Sequence, residues 1–252
     1  MSARTTVAPA SGPRLFNPTI AGITLRGLLG RRRSLLLIPL PLVLIALSLL
    51  VRTGDVTTRD ALQVVVTGLG VAVILPLTAL IIGTSVLGSE IDDGTIVHIL
   101  AKPVARREIV LTKYLVAAVV SGLVAGVSLL IAGTIVASVS VGIGFGIAGL
   151  IGAFVYSALF VLTSLVIRRA VLVGLAYILL WEGLLGNVLD GTKVLSVQKY
   201  VSEFAATFSG SSLVHGPMSL ILAIVMSAVL TVGALALAVD RLRSFSMAGE
   251  TS

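Results

Sequence analysis

Two stretches of this chain carry no charge at all: residues 61–89 and residues 114–167. Few other features restrict a fold so sharply. Roughly 20 apolar residues cross the hydrocarbon core of a bilayer, so the first run holds one span and the second holds two. Inside that core every backbone N–H and C=O must be satisfied within the segment itself, which makes these spans helices. The rest of the composition agrees. With 57% hydrophobic and 12% charged residues and a mean hydropathy of +1.13, the chain lacks the polar surface a soluble domain of 252 residues needs. The expected class is an all-α polytopic membrane protein. With no cysteine, disulfides and thiolate metal sites are excluded.

Six transmembrane helices are expected, at about 34–51, 62–87, 110–136, 143–167, 170–189 and 217–239. With the N-terminus placed in the cytoplasm, 14 Lys and Arg fall inside and 4 outside, while the acids split 6 to 5. The positive-inside rule counts only the bases, and it places both termini in the cytoplasm. The net charge of +7 is therefore a topology signal, and no nucleic-acid partner is expected. The start, RRRSLLLIPLPLVLIALSLLVR, has the charged head of a signal peptide, but its apolar stretch is too long and no small-x-small site follows. It is expected to be the first span. Residues 1–16 are expected to be a disordered tail, 17–33 an interfacial basic elbow, 34–243 a six-helix transmembrane domain and 244–252 a C-terminal tail. Asn17-Pro18 offers an N-cap and a proline at the first helical position, with Leu25, Leu28 and Leu29 expected to face lipid. The Gly-rich SVSVGIGFGIAG is expected to be a tight outer turn, and Arg168-Arg169 a tight inner one.

Against this background the strip SEIDDGTIVHILAKPVARREIVLTKYL stands out, with eight charges between Glu90 and Lys113. Asp92 and Asp93 suit a helix N-terminus, where exposed N–H groups favour carboxylates. Ile96, Ile99, Leu100 and Pro103 fall at i, i+3, i+4 and i+7, one face of a helix, while Thr95, His98 and Lys102 line the other. Pro103 ends it. The result is a short amphipathic helix, about 13 Å long at ~1.5 Å per residue, between spans two and three at the cytoplasmic surface. Taken singly, the acids could merely cap a helix and the bases merely anchor the inner leaflet. Together they form an element able to pass force from a soluble partner into the spans.

Glu90, Asp93-Gly94-Thr95, Leu100, Pro103, Arg106 and Lys113 resemble the pattern E-x-x-x-G-T-…-L-…-P-…-R-…-K of type-2 ABC export permeases. That family includes drug exporters and the permease of the nitrous-oxide-reductase maturation system. The stretch YILLWEGLLGNVLDGTKVLSVQKY also looks like one branch of it, with Trp181-Glu182 followed by Leu195-Ser196. The resemblance implies that Glu90, Asp92, Asp93, Gly94, Thr95, Ile96, Ile99, Leu100, Pro103 and Arg106 form a coupling helix that docks on a separate ATP-binding subunit. It implies two such subunits, and a second permease chain, the same or a paralogue. One departure is Ala105, where many relatives carry a serine that would cap span three. The chain has no Gly-x-x-x-x-Gly-Lys-[Ser/Thr], nor any Gly-Lys pair, so ATP and Mg are expected on the partner and no cofactor on this chain.

Elsewhere, Glu182 falls inside the fifth span, where a carboxylate on an isolated helix costs roughly 2.5–3.5 kcal/mol. Either it faces the translocation path or an outer gate, or the span ends early at Trp181 and Glu182 is wet and paired with a lysine such as Lys193. Pro76 is expected to kink span two, which would suit gating. Gly122 and Gly126 form a GxxxG, a mark of close helix packing within or between chains. VLSVQKYVSEFAATF reads as an interfacial or re-entrant helix in the outer loop. Its S-x-x-K lacks the companion motifs of penicillin-binding enzymes. His98 and His215 lack a ligand-like neighbourhood, so no metal is expected.

These observations lead to the expectation of a non-catalytic membrane subunit of an ATP-driven exporter in the cell membrane of a bacterium, carrying a drug-like, lipid-like or other amphiphilic cargo. The alternatives are a mechanotransmitter or maturation module passing motion to an outer partner, and a secondary transporter, for which Glu182 is thin support.

Overall fold

The computed structural model describes residues 16–29, 37–92, 105–185 and 194–247, and among them every regular element is helical. The first, α1 (Pro18–Leu29), starts as its sequence dictates. Asn17 Oδ1 accepts the N–H groups of Thr19 at 3.1 Å and Ile20 at 3.4 Å, with Pro18 opening the helix. Thr24 is buried, and Ile20 and Leu28 pack on a cluster that includes Val86, Val110 and Leu242. Leu25 and Ile23 point outward. Leu28 thus faces the protein rather than lipid, because it shares the Ile20–Thr24 stripe at four-residue spacing.

Helix α2 (Pro39–Thr53) opens on proline and stops at Gly54. Its 15 residues reach only about 22 Å at ~1.5 Å each, short of a ~30 Å hydrocarbon core. A long helix then runs through three segments: α3 (Thr58–Ala61), a π-helical stretch π1 (Leu62–Ile74) and α4 (Leu75–Asp92). The last bond of the wide register joins the Leu75 N–H to the Gly70 carbonyl. Pro76 therefore stands at the second position of the resumed α-helix, where a missing N–H is tolerated. What the structure shows at Pro76 is this change of helical register. The helix continues through Glu90 to Asp92; the separate helix expected from Asp92-Asp93 onward falls on residues outside those described. No proline or glycine interrupts the backbone between Gly88 and Gly94.

Helices α5 (Arg106–Val136) and α6 (Val139–Val166) form an antiparallel hairpin with a two-residue turn. Ser138 caps α6, its Oγ accepting from the Val141 N–H at 3.4 Å. The Gly-rich stretch expected as a turn is therefore the first turns of α6. A Cβ on Gly133 would sit 2.9 Å from Gly142 Cα, and one on Gly126 would sit 3.1 Å from the Gly146 carbonyl oxygen. Glycine's usual helix penalty is offset here by backbone approach that no larger residue allows. Gly122 and Gly126 accordingly pack within the chain, against Leu150, Ala153 and Gly146.

After the Arg168-Arg169 turn come α7 (Ala170–Ala176) and a second π-helical stretch, π2 (Tyr177–Leu185). An amphipathic helix, α8 (Val197–Ser209), follows, ending at Gly210 with φ 57°. Val197, Tyr200, Val201, Phe204 and Ala205 are its buried face. The last helix is α9 (Leu220–Met247). Among the described residues, four helices are long and apolar enough to cross a membrane: Thr58–Gly88, Arg106–Val136, Val139–Val166 and Leu220–Ser244. Pro39–Thr53 and Ala170–Leu184 are shorter apolar helices at the positions of the expected first and fifth spans. Helix α6 is the axis, with 67% of its most apolar stretch buried against 17% in α9, which lies on the outside.

Candidate functional site

Residues 93–104, which include Asp93, Gly94, Thr95, Ile96, Ile99, Leu100 and Pro103, lie outside the described residues. What the structure describes is how the two helices flanking them are held. Lys113, which the sequence left open as an inner-leaflet anchor or a part of the coupling pattern, is 1% exposed and donates from Nζ to the Val86 carbonyl at 2.8 Å. It thereby ties the second turn of α5 to α4. Val86 precedes the final turn of α4, so its carbonyl offers Lys113 a second lone pair beyond the helical bond. Ile82, Leu87, Ile109 and Val110 pack around this point. The backbone of Glu90 and Asp92 lies in the last turn of α4, and Arg106 is the first residue of α5. The N-cap of α5 is Ala105, and its methyl makes no capping bond, as the sequence implied.

Helix α1 is fixed to the same place. Asn17 donates from Nδ2 to Glu108 Oε1 at 3.0 Å, and its backbone N–H donates to Thr112 Oγ1 at 3.1 Å. One asparagine therefore caps α1 and fastens it to the first turns of α5. The sequence marked Asn17 as a cap but gave no sign of its long-range partners.

At the opposite end, Glu182 is 1% exposed. Oε2 accepts from Ser196 Oγ at 2.5 Å and from the Gln198 N–H at 3.3 Å. Oε1 accepts from the Val197 N–H at 2.9 Å and from the Tyr177 hydroxyl at 3.1 Å. The carboxylate from π2 thus caps α8, occupying the helix terminus where free N–H groups and the helix dipole favour an anion. Glu182 is therefore buried rather than wet; Lys193, its expected partner in the wet reading, lies outside the described residues. Trp181 donates from its indole Nε1 to the Leu195 carbonyl at 3.3 Å, holding the same segment. The Tyr200 hydroxyl donates to the Val194 carbonyl. Burial, and then the charge of Glu182, pushes its phenol up to about 12, so it remains a donor at ordinary pH.

A second buried carboxylate repeats the device. Glu203, on the buried face of α8, accepts from the Met218 N–H at 3.2 Å just before α9 begins. Gly216 allows this, since a Cβ there would overlap the Glu203 carboxylate. Helix α8 is therefore tied to π2 at its start and to the head of α9 along its length. The acid on the apolar face of an otherwise regular amphipathic helix was the signal that could have found Glu203. Ser196, whose S-x-x-K spacing carried no enzymatic meaning, turns out to belong to this cap.

A family model described as ABC-2 family transporter protein matches residues 31–189. The chain belongs to this family. The match runs from before α2 to the end of π2, so it contains α4, α5, Lys113 and Glu182. No curated protein matches the chain. As an ABC-2 family member it is a multi-pass membrane subunit of an ABC transporter, and the family implies an ATP-binding subunit as its partner.

Proposed function

We propose that this ABC-2 chain is the permease of an exporter, with six spans, both termini in the cytoplasm and the 90–106 segment as its coupling element. The observation that carries this reading is the Lys113–Val86 bond between α4 and α5. A coupling segment works only if a push on it moves helices rather than bending a hinge. Here the two helices that flank the segment are fastened together by a buried lysine at their cytoplasmic ends. Helix α1 is fastened to the same point through Asn17. Glu90, Asp92 and Arg106 stand where force would enter α4 and α5. Two ATP-binding subunits, carrying ATP and Mg, would act on two permease chains, the same or paralogous. Alternating access then follows from their closure.

On this reading α2 and α7–π2 are the first and fifth spans, and the 15-residue reach of each is met by local bilayer thinning or by residues flanking the helix. Glu182 and Trp181 would lie towards the outer end and Pro76 at mid-span, where a gate could act on the path. An amphiphilic cargo, drug-like or lipid-like, suits spans with few buried charges, in the cell membrane of a bacterium. The test is a mild-detergent pull-down of the tagged chain from native membranes beside a Glu90→Ala/Gly94→Trp variant, with ATPase activity assayed in both. Co-purification of an ATP-binding protein that the variant loses or uncouples is the expected result. An identical complex with identical coupled activity in the variant would remove the coupling role from the segment. Coupled ATPase without movement of any cargo in vesicles would favour a module that transmits motion alone.

A further inference from the structure

The end of the bundle away from Lys113 holds a cavity of about 300 Å³ that the transport reading does not use. It lies between the start of the long α3–π1 helix, α8 and the loop leading to α9. Arg59 and Gln63 line it from the first, Gln198, Lys199 and Ser202 from the second, and His215 from the third. Three basic side chains from three elements therefore converge, and no Asp or Glu is among the lining residues. The acids on the same elements are engaged elsewhere: Asp60 accepts from the Thr57 hydroxyl at 2.7 Å, and Glu203 from the Met218 N–H. Gln198 is 7% exposed, and its side-chain oxygen has no hydrogen-bond donor among the described residues. A buried amide in a polar cavity is ordinarily satisfied, so its free oxygen points to a donor supplied by an occupant. Apolar side chains, Phe145 and Leu62 among them, form the rest of the wall.

We propose that this cavity binds an anionic headgroup that also carries a hydroxyl, of the phosphoglycerol kind. The phosphate would sit among Arg59, Lys199 and His215, since guanidinium groups present paired donors that match phosphate oxygens. The hydroxyl would donate to Gln198. Basic pockets between membrane helices recognise lipid headgroups in this way. The volume is at the lower end of the range for small-molecule sites, enough for a headgroup but not for its chains. The outward assignment of this end rests on the orientation proposed above, but the binding itself does not.

The experiment uses the full complex purified in detergent and measures equilibrium binding of fluorescent phosphatidylglycerol and of phosphatidylcholine, with inorganic phosphate as competitor. Arg59 and His215 are exposed, so Arg59→Gln/His215→Gln is expected to fold normally, and its thermal unfolding is followed as a control. Thr67→Phe, which fills the cavity without touching its charge, is the second variant. Wild-type complex is expected to prefer phosphatidylglycerol by at least about tenfold, and both variants to lose that preference. Competition by millimolar phosphate would assign the site to a soluble anion, and no competition would assign it to a lipid headgroup; either supports an anion site. Equal binding of the two lipids by wild type, or an unchanged preference in both variants, would overturn it.

Discussion

The two ends of the bundle solve the same problem with opposite charges. At one end a buried ammonium, Lys113, reaches the backbone carbonyl of Val86 near the C-terminal part of α4. At the other a buried carboxylate, Glu182, occupies the N-terminus of α8. Each charge meets the end of a helix dipole that favours it. In lipid, apolar side chains gain little by choosing one another over acyl chains, so burial alone does not fix how elements are oriented. A polar tie supplies the orientation. The ends differ in what their charge holds. Glu182 accepts from Ser196 and from the backbone N–H groups of Val197 and Gln198, and so fixes the start of a helix, whereas Lys113 reaches a carbonyl inside a helix that is already formed.

That difference sets the largest expected effect. Glu182→Leu would strip the acceptor from Ser196, Val197 and Gln198 together, at a cost of roughly 3–5 kcal/mol, the range for breaking a buried charged network. Thermal unfolding in detergent should show it, and protease cleavage within 186–196 should rise. Glu182→Gln keeps the shape and one acceptor, so it should recover about half. If Glu182→Leu unfolds at the wild-type temperature, the carboxylate does not hold α8. If Glu182→Gln retains stability yet alters transport, the residue also acts in the gate. Lys113→Met should cost less, about 1–2 kcal/mol, because it preserves the apolar stem and the helix whose carbonyl it reaches is already formed. Its larger expected effect is on coupling: ATPase activity should lose its response to cargo while the protein stays folded. Fully coupled Lys113→Met would break the parallel between the two ends.

Much of this architecture was legible in the sequence because lipid imposes a simple rule on uncharged runs. Residues 62–87 and 114–167 gave the long helices, Arg168-Arg169 the turn between α6 and α7, and Asn17-Pro18 the start of α1. The Gly-rich stretch after Ser138 misled because glycine in water marks a turn. In a bilayer no water competes for the backbone, and the same residues let α5 and α6 approach. The π-helical register at 62–74 leaves no mark in an apolar pattern, which reads alike at either pitch. Glu182 was recognisable as expensive, but its solution lies 14 to 16 residues away in α8. Lys113 looked like an anchor because composition reports a charge and not its depth. The middle of the charged strip, 93–104, falls outside the described residues, and the structure describes the clamp that flanks it.

The smallest expected effect, and the one that most sharpens the contrast, concerns Asn17. Asn17→Ala removes the cap of α1 and its bond to Glu108, and a lost cap costs about 1 kcal/mol. Asn17→Asp retains the capping oxygen but places a second carboxylate against Glu108, so it should keep α1 helical while releasing it from α5. If α1 only anchors the chain to the membrane surface, both variants should couple ATP hydrolysis to transport as wild type does. If the clamp at this end is a unit, both should weaken coupling to a similar degree, although only Asn17→Ala loses the cap. A Glu108→Gln partner completes the comparison, because a neutral side chain there relieves the repulsion in Asn17→Asp. Recovery of coupling in that double variant would locate the contribution in the α1–α5 tie itself.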